Sequence, residues 1–205
     1  MFITFEGGEG CGKSTHSKLL KKYLKNKGYK VILTFEPGGT EVGRILRKAL
    51  LKGPRLVSRY SELFLFAADR SEHVESVIKP GLKACMIVIS DRFVDSTAAY
   101  QIAGRGLPKD LVSEMNRISS GGLMPDLTFL LDIPPKIGVA RGTKSTKKDK
   151  FESENMAFHK RIRKAYLRIA KLEPKRIKVI SSIMSAGEVQ GIIRRTIDEK
   201  LGNKG

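Results

Sequence analysis

Phe2-Ile3-Thr4-Phe5-Glu6-Gly7-Gly8-Glu9-Gly10-Cys11-Gly12-Lys13-Ser14-Thr15 opens the chain, and its reading decides the fold. A short apolar run of strand length leads into a glycine, four further residues and then Gly-Lys-Ser, the spacing of a phosphate-binding loop. The glycines let the backbone turn its N–H groups inward around phosphate oxygens. Lys13 can reach the outer phosphates and the Ser14 hydroxyl can meet a magnesium ion. Gly7, Gly8, Glu9, Gly10, Cys11, Gly12, Lys13, Ser14 and Thr15 are therefore the expected triphosphate contacts.

Outward from this loop, apolar runs alternate with helix-period segments. Helices are expected over Lys13 to about Lys27, through Val42 to Leu50, over Tyr60–Lys79 with a stop at Pro80-Gly81, from Ser96 to about Arg117, and over Glu152–Leu172 and Ala186–Leu201. Strands are expected at Val31–Phe35, Met86–Ile89, Leu127–Ile133 and Ile177–Ile180, besides the first. Strand alternating with helix implies right-handed crossovers and a doubly wound α/β fold, a five-stranded parallel sheet flanked by helices on both faces. Ligands should gather at the carboxyl ends of the strands.

The 205 residues suit one domain, and no apolar run approaches the roughly 20 residues of a membrane helix. A signal peptide is not expected, because the opening apolar run is short and enters the glycine loop directly. Two cysteines, Cys11 in the loop and Cys85 in an apolar strand, read as free thiols of a reducing cytoplasm. Lys and Arg number 39 against 21 Asp and Glu, for a formal charge of +18. The charge is spread along the chain without an RNA-binding signature. It reads as a solvated basic surface that attracts polyanionic nucleotides rather than as a nucleic-acid site.

Other candidates fall where this architecture gathers chemistry. Asp91, at the end of an apolar strand, can hold Mg²⁺ or its waters or cap the next turn; Arg92 can clamp phosphate with its planar fork. Phe66 and Arg70, four apart on one helix, share a face, where they could stack on and hydrogen-bond a flat base or serve as core residue and solvated charge. The basic stretch Thr143–Lys150 reads either as solvated polar loop or as a mobile lid bringing cations to a transferring phosphoryl group.

Taken together, the chain resembles the thymidylate kinases from end to end. The blocks that carry the resemblance are Phe5–Thr15, Glu36-Pro37-Gly38-Gly39-Thr40, Asp91-Arg92-Phe93 with Ser96-Thr97-Ala98-Ala99-Tyr100-Gln101, and Pro125-Asp126-Leu127-Thr128. The resemblance implies a single domain over 1–205 with a lid at about 141–152, of the P-loop nucleoside-monophosphate kinase fold. It implies transfer of the ATP γ-phosphoryl to dTMP with Mg²⁺, in a cytoplasmic homodimer without membrane association. Lys13, Asp91, Arg92, Glu36, Arg141 and Lys148 would then be catalytic, with Ser14 and Asp91 at the metal. Glu9, Glu36, Arg47, Phe66, Arg70, Arg92, Ser96, Tyr100 and Gln101 would hold dTMP, Tyr100 crowding a ribose 2′-hydroxyl. Three positions depart from the family pattern. Phe35 stands where an Arg is usual, the lid carries Asp149-Lys150 for Asp-Arg, and Ser181-Ser182-Ile183-Met184 lacks the acidic residue common after the last strand. The competing readings are a sibling kinase with relaxed base choice and a nucleotide-switched nucleic-acid binder.

Overall fold

The computed structural model describes residues 1–53, 58–142, 150–151 and 153–202. Five strands, β1 (Phe2–Glu6), β2 (Val31–Phe35), β3 (Ile87–Asp91), β4 (Leu127–Asp132) and β5 (Ile177–Ser181), form one all-parallel sheet in the order β2-β3-β1-β4-β5. Buried residues run the length of the central strand β1, as coverage by helices on both faces predicts, whereas the edge strand β5 buries Ile177 and Ile180 and exposes Lys178, Val179 and Ser181.

Side chains of β1 alternate between two cores. Ile3 and Phe5 face α1 (Lys13–Asn26) and α9 (Ala186–Gly202), packing with Leu20, Leu24, Val189, Ile193 and Ile197. Phe2, Thr4 and Glu6 face the opposite side, where Phe2 packs with Val74, Ile78, Val88 and Phe93. Toward β5 that side is closed by α8 (Met156–Leu172), whose Phe158, Ile162 and Tyr166 pack on Leu130 and Ile177. Over β2 and β3 stand α2 (Glu41–Arg47), α3 (Arg59–His73) and α4 (Lys79–Lys83), with α5 (Val94–Thr97) and α6 (Lys109–Ser120) beside them.

Several expected boundaries shift. The helix expected to stop at Pro80-Gly81 runs on to Lys83, because a π-helical turn at Val74–Ile78 widens the backbone before the proline, which offers no N–H of its own. Gly81 packs on the sheet, where a Cβ would stand 2.6 Å from Ile32 Cδ1 and 3.0 Å from Val88 Cγ2. The helical stretch expected from Ser96 to Arg117 is two pieces. α5 continues as a π-helical segment, Ala98–Gly104, and α6 starts afresh after Pro108, which cannot continue a ladder. α8 begins at Met156, where the Asn155 side chain accepts the Phe158 N–H at 2.9 Å. A short helix, α7 (Pro135–Gly142), follows β4 unforeseen; proline at its first position was its one sequence signal. Cys85 is exposed in the turn before β3, not in a strand, while Cys11 is buried, and both are free thiols.

Candidate active site

The carboxyl ends of β1, β2 and β3 open into a cavity of about 600 Å³. That size suits a small-molecule site. The glycine loop forms one wall. Gly7 meets β4 so closely that a Cβ would stand 2.5 Å from the Leu131 carbonyl oxygen. Gly10 likewise abuts α7, a Cβ there coming 2.0 Å from the Gly138 carbonyl oxygen. Gly12, left-handed at φ 90°, turns the chain into α1 so that Lys13 opens the helix. Gly10, Gly12, Lys13, Ser14 and Thr15 face the cavity together with Glu9. Gly7 and Gly8 line a smaller hollow behind the loop, and Cys11 points into the core. The Lys13 ammonium donates to the carbonyls of Gly7 at 3.2 Å and Gly8 at 2.9 Å. Ser182, at the departure from the family pattern, donates from its hydroxyl to the Cys11 carbonyl at 2.6 Å and so props the loop from β5.

Across the cavity stands a connected polar cluster. Arg92 donates to Glu9 Oε1 at 2.7 Å and to the Tyr100 hydroxyl at 3.2 Å, and its guanidinium lies 5.0 Å over the Tyr100 ring. Tyr100 also donates to Glu9 Oε1 at 2.8 Å. Burial alone would push the Glu9 carboxyl up, but the Arg92 guanidinium and the Lys13 ammonium outweigh it and bring it down to about 2. Glu9 is thus an ionised acceptor at the mouth of the loop. The Ser14 hydroxyl donates to the Asp91 carboxylate, joining α1 to the end of β3.

At the far end Phe66 and Arg70 share the pocket face of α3, as their spacing predicts. Arg70 is nearly inaccessible. Its Nε and Nη2 donate to Glu36 Oε2 at 2.9 and 2.8 Å, and its Nη1 donates to Asn116 at 2.8 Å. Glu36 Oε1 meets His73 Nδ1 at 2.9 Å, so both Glu36 oxygens are committed to side chains of α3. In this arrangement Glu36 orients Arg70. The Glu36–Thr40 turn is packed inward: Gly39 lies against the His73 ring, where a Cβ would stand 2.7 Å away.

Arg47 reaches the rim and donates to the Pro37 carbonyl at 2.6 Å, with its guanidinium 5.4 Å over the ring of Phe35, the residue that stands in place of the family's Arg. Ser96, Tyr100 and Gln101 line the wall, and Gln101 is held by Glu62 at 3.0 Å. Arg141 does not line the cavity; it leaves α7 beside Gly10 and donates to the Ser182 carbonyl at 2.8 Å. Lys148 lies outside the described residues, as do 143–149 and 152 of the expected lid.

Sequence reasoning missed Glu6, Phe151, Asn116, His73 and Tyr166. Phe151, buried at the end of the basic stretch, sits with ring centroids 6.0 Å from Phe66 and 5.6 Å from Tyr100. Glu6 immediately precedes the glycine loop, yet its meaning depends on partners 87 to 160 residues away.

A protein-family model described as thymidylate kinase matches residues 5–193. A thymidylate kinase of Dehalococcoides mccartyi is 47% identical over 202 residues, covering 98% of this chain and 97% of its own. One from Synechococcus sp. strain JA-2-3B'a(2-13) is 45% identical over 201 residues, covering 98% and 96%. The crystal structure of thymidylate kinase from Ehrlichia chaffeensis superposes with a TM-score of 0.81 at 36% identity, covering 97% of this chain and 98% of that one.

Proposed function

The chain belongs to the thymidylate kinase family, and from that membership and the site geometry we propose that it transfers the γ-phosphoryl of ATP to dTMP. The observation that carries the reading is that Arg92 and Tyr100 meet Glu9 at the mouth of the phosphate loop, in one cavity that Lys13, Phe66 and Arg70 also line. A donor triphosphate on the loop and an acceptor nucleotide on the cluster would meet between Lys13 and Arg92.

Phosphoryl transfer asks little covalent chemistry of a protein, so positioning and charge supply the rate. The dTMP phosphate oxygen attacks the γ-phosphorus as the bond to the ADP oxygen breaks. Lys13 would leave the carbonyls of Gly7 and Gly8 to meet the outer phosphates, while Arg92 holds the acceptor phosphate. Glu9, ionised, accepts from the sugar 3′-hydroxyl. Tyr100, whose phenol burial keeps protonated, occupies the space a 2′-hydroxyl would need. Phe66 stacks on thymine, Arg70 donates to its carbonyl, and Ser96 and Gln101 complete the wall. Arg47 approaches the acceptor phosphate, and Arg141, beside Gly10, supplies a cation on the donor side.

The residues fit magnesium. Ser14 and Asp91 offer hard oxygen donors already in contact. That matches an ion shared between a few protein oxygens and substrate phosphates. When bound, it neutralises charge on the phosphates. The same reading takes the protein as a cytoplasmic homodimer, supported by free thiols and by the exposed apolar residues Val42 and Ile45 of α2 and Phe64 of α3 on neighbouring helices. No described helix is long and apolar enough to cross a membrane.

An ADP-release assay with a panel of nucleoside monophosphates tests the reading. Turnover should be far faster on dTMP than on any other monophosphate; comparable turnover of dUMP, dCMP and dGMP would favour the sibling kinase instead.

A further inference from the structure

Arg92 is one of two non-glycine residues among those described with positive φ, at 77°. Left-handed backbone crowds a Cβ against the neighbouring carbonyl, so an arginine stays there only where its surroundings hold it. Here the holding groups are visible on both sides. The Arg92 N–H ends the sheet ladder on the Phe5 carbonyl at 2.9 Å. The next peptide, between Arg92 and Phe93, is gripped at both of its polar atoms. Its carbonyl accepts from the Ser90 hydroxyl at 2.8 Å, and its N–H donates to Glu6 Oε1 at 2.7 Å.

The other Glu6 oxygen accepts from Ser96 at 2.6 Å and Tyr166 at 3.0 Å. Those two hydroxyls in turn accept from Arg92 Nη1 at 3.2 and 3.4 Å. Glu6 thus fixes Arg92 twice, through its backbone and through the tip of its side chain. Glu6 and Ser90 are both fully buried on the neighbouring strands β1 and β3, and neither lines the cavity.

We propose that Glu6 and Ser90 are positioning residues for the acceptor nucleotide: by clamping the Arg92–Phe93 peptide they hold Arg92 left-handed and aim its guanidinium at the acceptor phosphate. The inference rests on the functional reading above, because it gives Arg92 a phosphate to hold. It also explains how one strand end serves two substrates. β1 runs into the donor loop at Gly7, while Glu6, one residue earlier, sets the acceptor clamp. What the Phe93 N–H needs from Glu6 is an accepting oxygen, which a glutamine amide also provides; its NH₂ would then donate to the Ser96 and Tyr166 hydroxyls, which must turn their own hydrogens away.

The test compares wild type with Glu6→Ala, Glu6→Gln and Ser90→Ala by ADP-release kinetics in both substrates and by calorimetric dTMP titration. Glu6→Ala should raise the KM and Kd for dTMP by about tenfold or more and leave the ATP KM within about twofold, since a misaimed clamp weakens acceptor binding alone. Glu6→Gln should recover most of that loss. Ser90→Ala should weaken dTMP binding several-fold with the same selectivity. The Glu6→Ala/Ser90→Ala double variant should lose less than the product of the singles, because both act on one peptide. Equal losses toward ATP and dTMP, or a glutamine variant as impaired as the alanine one, would overturn the inference. If Glu6→Ala does not fold, Ser90→Ala decides: selective weakening of dTMP supports the clamp and wild-type behaviour overturns it. A wild-type protein inactive on dTMP would instead sink the functional reading.

Discussion

Glu6 also provides the sharpest stability test. Its carboxyl is wholly inaccessible, and burial together with the nearby Asp95 pushes it from 4.5 up to about 7, against the opposing pull of Ser96, Arg92 and the Phe93 N–H. The folded protein therefore holds the Glu6 proton more tightly than the unfolded chain. The resulting stability is complete below pH 4.5 and is lost as pH rises toward and through 7. At about 1.4 kcal/mol for each pH unit between the two values, the loss reaches ~3 kcal/mol by pH 8. Arg92 and Asp95, itself paired with Arg176 at 2.7 Å, face the carboxyl in both proteins. Glu6→Gln mimics the protonated acid at every pH.

Thermal unfolding of wild type and Glu6→Gln, followed by circular dichroism without nucleotide or Mg²⁺, reads the effect as the difference between the two proteins. Whatever the offset at pH 4.5, it should move in favour of the variant by roughly 6–12 °C by pH 8, at about 2–4 °C per kcal/mol for a chain of this length. A constant offset, or one drifting toward wild type, would show that Glu6 does not titrate in this window.

Three further outcomes are expected. Lys13→Ala should lower kcat by at least about 100-fold while leaving Tm within a few degrees, because the ammonium meets charge that develops on reaction; retained turnover in the same assay would remove it from the phosphate site. Phe66→Ala should raise the dTMP KM by about 10- to 100-fold, the worth of one base stacked on an aromatic ring, with the ATP KM little changed; equal rises would take Phe66 out of the base pocket. Gly10→Ala should cost about 2–4 kcal/mol, because the residue has φ 66° and its Cβ would meet the Gly138 carbonyl. Denaturant unfolding would read that loss, and unchanged stability would mean that the loop does not dock on α7 as described.

The corrections share one cause. The Tyr60–Lys79 boundary depended on Pro80, a strong local stop, but packing of Gly81 on Ile32 and Val88 and the π-helical turn before it carried the helix through. α7 escaped notice because eight residues offer too little periodicity to stand out. The bonds from Glu36 to Arg70 and His73 of α3 had no sign in the sequence, because their partners lie 34 and 37 residues away.

From residues alone came the phosphate loop, the alternation of strands and helices, and the shared face of Phe66 and Arg70. Each depends on chemistry within a few neighbours: glycines that allow a tight turn, apolar runs that must be covered, side chains one helical turn apart. The strand order, the Ser182 prop under Cys11, the seat of Phe151 against Phe66 and the grip of Glu6 on the Arg92–Phe93 peptide came only from the tertiary structure. Those contacts join residues 85 or more positions apart, and their hydrogen bonds exist only where sheet register and helix packing bring the partners within reach.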